Sequence, residues 1–127
     1  MTLQSNLSGI WQSRYKYNSS SQPGEQEGKH KVRIFQSKDK LVIESTADNN
    51  SYLVMRLAVD EHNNIATGTW QEVTATKGHY KGAVYHGAIQ LLIDLENKRM
   101  QGKWLGFSKD RQINVGPWEF TYLGQPE

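Results

Sequence analysis

The chain has no cysteine, only three prolines, and no apolar run near the roughly 20 residues that a membrane-spanning helix needs. Zero cysteine excludes a disulfide framework, a thiolate zinc site and a cysteine nucleophile. It also fits a reducing compartment, so a cytoplasmic location is expected. Residues 1–10 hold neither a basic stretch nor an apolar stretch of signal-peptide type. Fifteen Lys and Arg against thirteen Asp and Glu leave a net charge of +2. That falls short of the basic face that direct nucleic-acid contact requires, so neither nucleic acid nor membrane is an expected partner. The sequence contains no G-x-S-x-G, P-loop or G-x-G-x-x-G motif, and no Ser–His–acid triad can be placed. Among His30, His62, His79 and His86 no pair has H-x-H or H-x₃-H spacing. No metal and no cofactor is therefore expected, with a lone His as haem ligand the weaker alternative.

Glycine and tryptophan are well supplied. Eleven Gly are scattered through segments of alternating apolar and polar residues, and no window sustains a helical apolar stripe. The alternation predicts eight strands over about 9–18, 28–37, 40–47, 51–59, 64–74, 79–94, 98–108 and 113–122, with Asp-, Asn-, Lys- and Gly-bearing gaps. The length of 127 residues suits one domain, 1–127. The expected fold is therefore all-β, a single eight-stranded antiparallel up-and-down barrel, closed so that no strand edge is left free.

All four Trp sit in Gly-x-Trp, at Gly9-Ile10-Trp11, Gly68-Thr69-Trp70, Gly102-Lys103-Trp104 and Gly116-Pro117-Trp118. Residues two apart on a strand share a face. One register places Trp104 opposite Trp118, Ile93 opposite Met100, Ile89 opposite Trp104, Trp70 opposite Ala83 and Glu72 opposite Lys81. It turns Leu53, Met55, Leu57, Val59, Leu41, Ile43, His30, Val32 and Ile34 inward, and Lys103, Gln71, Lys31 and Arg33 outward.

A barrel of this size fills with side chains or holds one small ligand. Inward Gly and Ala leave volume that Tyr15, Tyr17, Trp70, Tyr85, Trp104 and Trp118 line, or the same rings fill it; Trp11 is assigned to the floor. Ser13, His30, Glu72, Tyr85 and Ser108 are the inward polar groups. An inward carboxylate is costly unless paired. Glu72 is read as a mouth residue paired with Lys81, as an acceptor for ligand donors, or as a general base. His86 and Gln90 face outward beside Val84, Ala88 and Leu92, a candidate surface for a homo-oligomer or a regulatory partner protein. A bulge in that strand would turn His86 into the pocket.

Gly9-Ile10-Trp11 on a first strand, followed by a long first loop and seven further strands, resembles the calycin superfamily of lipocalins, fatty-acid-binding proteins and avidins. A second resemblance covers almost the whole chain. Residues 11–17 (WQSRYKY), 66–72 (ATGTWQE), 80–91 (YKGAVYHGAIQL) and 100–107 (MQGKWLGF) are similar to the C-terminal domain of some bacterial helix-turn-helix transcriptional regulators. That resemblance implies a sensor or effector-recognition module without catalysis, although the DNA-binding part of such regulators is missing from this chain. The functional expectation is a small-molecule-binding barrel. A small, partly aromatic ligand enters at one end under a lid at residues 19–27. Aromatic walls stack on it, and Arg14, Tyr15, Tyr17, Glu72 and Tyr85 recognise its polar groups. The alternatives are an interaction or oligomerisation module using the outer face, and an isomerase- or cyclase-type enzyme using Glu72 or His30 as acid or base.

Overall fold

A computed structural model describes residues 7–18, 25–46, 52–73, 84–107 and 113–125. Its strands are β1 (Gly9–Asn18), β2 (Glu25–Ser37), β3 (Lys40–Ser45), β4 (Tyr52–Asp60), β5 (Ile65–Val73), β6 (Val84–Asp94), β7 (Arg99–Phe107) and β8 (Ile113–Gly124). Each pairs antiparallel with the next, and β8 returns to β1, so the sheet closes into a barrel. No helix occurs among the described residues. The proposed lid, Lys81, Ala83 and Ser108 lie wholly or mostly outside the described residues.

The alternation explains the strands directly. On β4, Leu53, Met55, Leu57 and Val59 are buried while Arg56 and Ala58 are exposed, the period of two that a sheet with one wet face demands. Leu41 and Ile43 on β3, and Val32 and Ile34 on β2, continue the same inner face.

Three tight connections join the strands at one end, here the lower end. At residues 38–39, Lys38 takes a left-handed φ of 57°. The other two share one chemistry. Asp60 accepts from the backbone N–H of His62 (3.0 Å) and Asn63 (3.2 Å) and from Asn63 Nδ2 (2.9 Å). Asp94 accepts from Asn97 N (3.1 Å) and Nδ2 (2.8 Å). The last residue of each turn, Asn64 or Lys98, is left-handed, at 55° and 54°. These Asx-type bonds hold each carboxyl below its ordinary value of 3.8.

The observed register corrects three of the expected pairings. Trp104 lies opposite Gly116, and Trp118 opposite Gly102, a shift of two residues. Trp70 lies opposite Gly87, and Glu72 opposite Tyr85 rather than Lys81, a shift of four. Ile93–Met100 and Ile89–Trp104 pair as expected. The physical reason is the ring. The observed offset sets each indole of the reciprocal Gly-x-Trp segments opposite a glycine, and the Trp104 ring rests over Gly116. Tyr15 does the same over Gly28 on β2. A Cβ at Gly106 would lie 2.6 Å from the Trp70 ring, and one at Gly116 2.8 Å from Trp104 Nε1. At Gly68, Gly87 and Gly102 a Cβ would instead overlap a carbonyl oxygen of the neighbouring strand. These glycines allow close approach of rings and strands; the volume expected beside them is occupied.

Below the upper end the lumen is a packed apolar core, with Val32, Ile34, Ile43, Ala66, Leu91, Met100 and Phe120 fully buried. Leu7, ahead of β1, covers the floor. Its N–H donates to Gln36 Oε1 (2.7 Å), and its carbonyl accepts from Trp11 Nε1 (2.9 Å). The seam between β1 and β8 carries a register shift at Ile10/Trp11.

Candidate functional site

The four longer connections leave from the upper end, where β1, β3, β5 and β7 finish. Inward positions there are Tyr15 and Tyr17 on β1, His30 on β2, Glu72 on β5 and Tyr85 on β6. With the buried Ser13 on β1, they form the polar part of a mainly apolar lumen.

Because β1 and β5 stand on opposite walls of an eight-stranded barrel, a contact between them must cross the lumen. Tyr15 makes that crossing: its hydroxyl donates to Glu72 Oε1 at 2.8 Å. His30 Nε2 lies 3.3 Å from Glu72 Oε2. The result is a polar crossbar of phenol, carboxylate and imidazole. Glu72 is 8% exposed and His30 6%. Burial first, then the Glu72 charge and the hydrogen bond to it, push the Tyr15 phenol far above its ordinary value. Tyr15 is therefore a neutral donor at any physiological pH. His30 Nδ1 is buried and has no hydrogen-bond partner among the described residues, an uncommon state for a buried polar atom.

Below the crossbar lies an aromatic layer. The Tyr15 ring sits 4.3 Å from that of Trp118 and runs parallel to the His30 ring, 6.1 Å away and at 8°. Trp118 meets Trp70 edge-on at 5.6 Å, and Trp70 meets Trp104 edge-on at 5.8 Å, the geometry that ring quadrupoles favour. Every indole N–H is satisfied by the protein itself. Trp118 donates to Ser13 Oγ (2.7 Å), Trp104 to Lys16 O (3.2 Å), Trp70 to Leu105 O (3.1 Å) and Trp11 to Leu7 O. The three indoles of this layer are buried in the lumen, Trp118 at 1% exposure and Trp70 and Trp104 at 7%.

The ten expected site residues therefore divide. Tyr15, Tyr17, His30, Glu72 and Tyr85 converge at the upper end, with Trp70, Trp104 and Trp118 packed beneath them. Arg14 does not join them. It projects from the outer wall, where it bonds Glu27 Oε2 at 2.8 Å and approaches Glu119 at 3.6 Å. Its neighbours Ser13 and Tyr15 take the inward parity, so the residue between them has to point out. His86 also faces outward, its ring 5.7 Å from Phe107. With Arg56, Thr69 and Gln71 it borders a shallow outer hollow of about 360 Å³.

Two features escaped the sequence reading. One is the reach of Tyr15 across the lumen to Glu72. The other is the extension of the outward strip onto β7 and β8, where Leu105, Phe107, Ile113 and Val115 are exposed. The alternating apolar residues at 105, 107, 113 and 115 were its signal.

No group of three or more His, Asp or Glu is arranged to hold a metal among the described residues, and no helix among them is long and apolar enough to cross a membrane. Comparison with known proteins returns no matching family model, no matching curated protein and no matching solved structure. The class that the architecture defines is the closed, all-antiparallel eight-stranded β-barrel, compatible with a calycin-like fold.

Proposed function

We propose that the protein is a small-molecule-binding barrel, a sensor or effector-recognition module, whose ligand is recognised at the upper end by Tyr15, Tyr17, His30, Glu72 and Tyr85. The observation that carries this reading is the crossbar. The lower lumen shows that this chain closes a barrel with apolar side chains alone. A buried carboxylate, an imidazole with a nitrogen unpartnered among the described residues and a set of phenols add nothing to that filling and are costly to bury. They do supply what a binding site needs, a few placed polar groups against apolar rings. The resemblance of residues 66–72 and 80–91 to sensor domains of bacterial regulators supports the same reading.

The test is ligand-observed and protein-observed NMR with a panel of aromatic fragments carrying a hydroxyl or amine. Binders are expected to shift the resonances of Tyr15, His30, Glu72 and Tyr85, and Glu72→Gln is expected to weaken them by roughly 10- to 100-fold, the worth of a charged hydrogen bond. Fragments that perturb only outer-wall residues, or that bind Glu72→Gln equally well, would refute it.

A second reading has its own observation. A carboxylate 3.3 Å from an imidazole and 2.8 Å from a phenol is a set able to hold and pass a proton, so an isomerase- or cyclase-type enzyme uses the same residues. A pH–rate profile that disappears in Glu72→Gln would favour it over simple recognition.

A further inference from the structure

We propose that the outer face of β6, β7 and β8 is the interface of a homodimer. Closure of the barrel leaves no strand edge to extend, so a second copy cannot join by strand addition and the outer faces are the surfaces open to it. The outer wall offers two unlike faces. On β1 and β2 it carries Arg14, Lys16, Lys29, Lys31 and Arg33, all outward, against Glu27, which Arg14 already holds, so two identical copies packed there would oppose an excess of like charge. On β6 to β8 toward the upper end it carries an uncharged grid. Phe107 stands opposite His86 on one side and Ile113 on the other, and Leu105 stands opposite Ala88 and Val115. Ile113 and Val115 are each 68% exposed.

The area fits a second copy. With Val84, the exposed part of this grid amounts to roughly 450 Å² of apolar surface, a contiguous patch of the size that is often functional. A standard interface buries about 800 Å² per partner, apolar at the centre and polar at the margin. Gln90, Lys103 and Pro117, the next row on the same three strands, supply such a margin. The charge pattern also selects the symmetry. A two-fold axis along β7 would set Lys103 against the partner's Lys103. An axis across the strands sets Phe107 on the partner's Leu105 and Ile113 on the partner's Val115, and keeps the lysines apart. The grid is then complementary to itself, as an isologous contact requires.

Sedimentation equilibrium from micromolar to hundreds of micromolar tests this on the full chain. Wild type is expected to approach twice 14.5 kDa. Val115→Lys is expected to weaken association by at least about thirtyfold, the effect of a central hot spot. Lys31→Glu, on the far wall, should leave the dimer intact. Leu105→Gln provides a second probe should Val115→Lys lose its β-type circular dichroism. A wild type that stays at monomer mass throughout would overturn the proposal and leave the face to an unlike partner. A dimer that survives both Val115→Lys and Leu105→Gln with the fold intact would overturn it too, by placing the contact elsewhere.

Discussion

Replacing Tyr15 by Phe removes one hydroxyl and leaves a ring that still packs 4.3 Å from Trp118. The change isolates the bond to Glu72. A hydrogen bond to a charged acceptor contributes about 1.5–3 kcal/mol, and an acceptor left short of a donor in a buried site adds to the loss. The Tyr15→Phe variant should therefore be less stable by about 2 kcal/mol at neutral pH. With an m-value of about 1.5–2 kcal/mol/M, the urea midpoint, followed by tryptophan fluorescence, should fall by about 1 M. Alkaline pH gives an independent check. The Tyr15 phenol ionises near 10.0 in the unfolded chain and well above that in the barrel. Its contribution is thus complete below pH 10 and is lost as the pH rises, because the unfolded chain can release a proton that the barrel retains. Wild type should lose up to about 1.4 kcal/mol per pH unit through this group above pH 10, and Tyr15→Phe should lack that part of the decline. A loss below about 0.5 kcal/mol at pH 7, together with parallel alkaline limbs, would mean that the crossbar is not formed in solution.

Ser13→Ala leaves the buried Trp118 indole N–H without its acceptor and should cost about 1–3 kcal/mol in chemical denaturation; a neutral result would mean that Trp118 finds another acceptor. Gly87→Ala drives a Cβ into the Leu105 carbonyl, backbone against backbone, and should destabilise by about 3 kcal/mol or more; a soluble variant with an unchanged melting temperature would contradict the described strand spacing. The carboxyls of Asp60 and Asp94 ionise more readily folded than unfolded, so their contribution is present above the unfolded value of 3.8 and lost as the pH falls through the lower folded one. The double variant Asp60→Asn/Asp94→Asn should accordingly show a shallower acid decline in melting temperature than wild type, and an identical decline would discount the turn bonds.

The strands are legible because each inward run is written in alternation, as in Leu53, Met55, Leu57 and Val59. Alternation fixes which face a residue takes and nothing more. A register shifted by two or four residues keeps every side chain on its face, so the slips at Trp118 and Glu72 leave the inner face correct while misnaming the neighbours. Where the connection is short the offset is fixed by the turn, which is why Ile93–Met100, closed by the Asp94–Asn97 turn, can be paired from the chain alone. The site shows the same division. The inward parity of Tyr15, His30 and Glu72 is plain in the chain. That the phenol of residue 15 meets the carboxylate of residue 72 depends on barrel closure and width, which no local pattern encodes. Grouping Arg14 with its neighbours follows its chemistry, whereas its parity points outward.

Closure also sets an order of events. Seven of the eight strand pairings join neighbours in the chain and can form as local hairpins. The eighth brings residue 10 against residue 124 and must await the rest. Until then β1 and β8 are two unsatisfied edges, the condition in which partly folded β-proteins associate wrongly. The bonds that tie β1 to β7 and β8 are concentrated at this late step: Trp118 to Ser13, Trp104 to the Lys16 carbonyl, Arg14 to Glu119, and Trp11 edge-on to Tyr122. Three of the four Gly-x-Trp segments thus act as a latch. They contribute little while the meander grows and hold it shut once its ends have met, so weakening them should speed opening more than it slows folding.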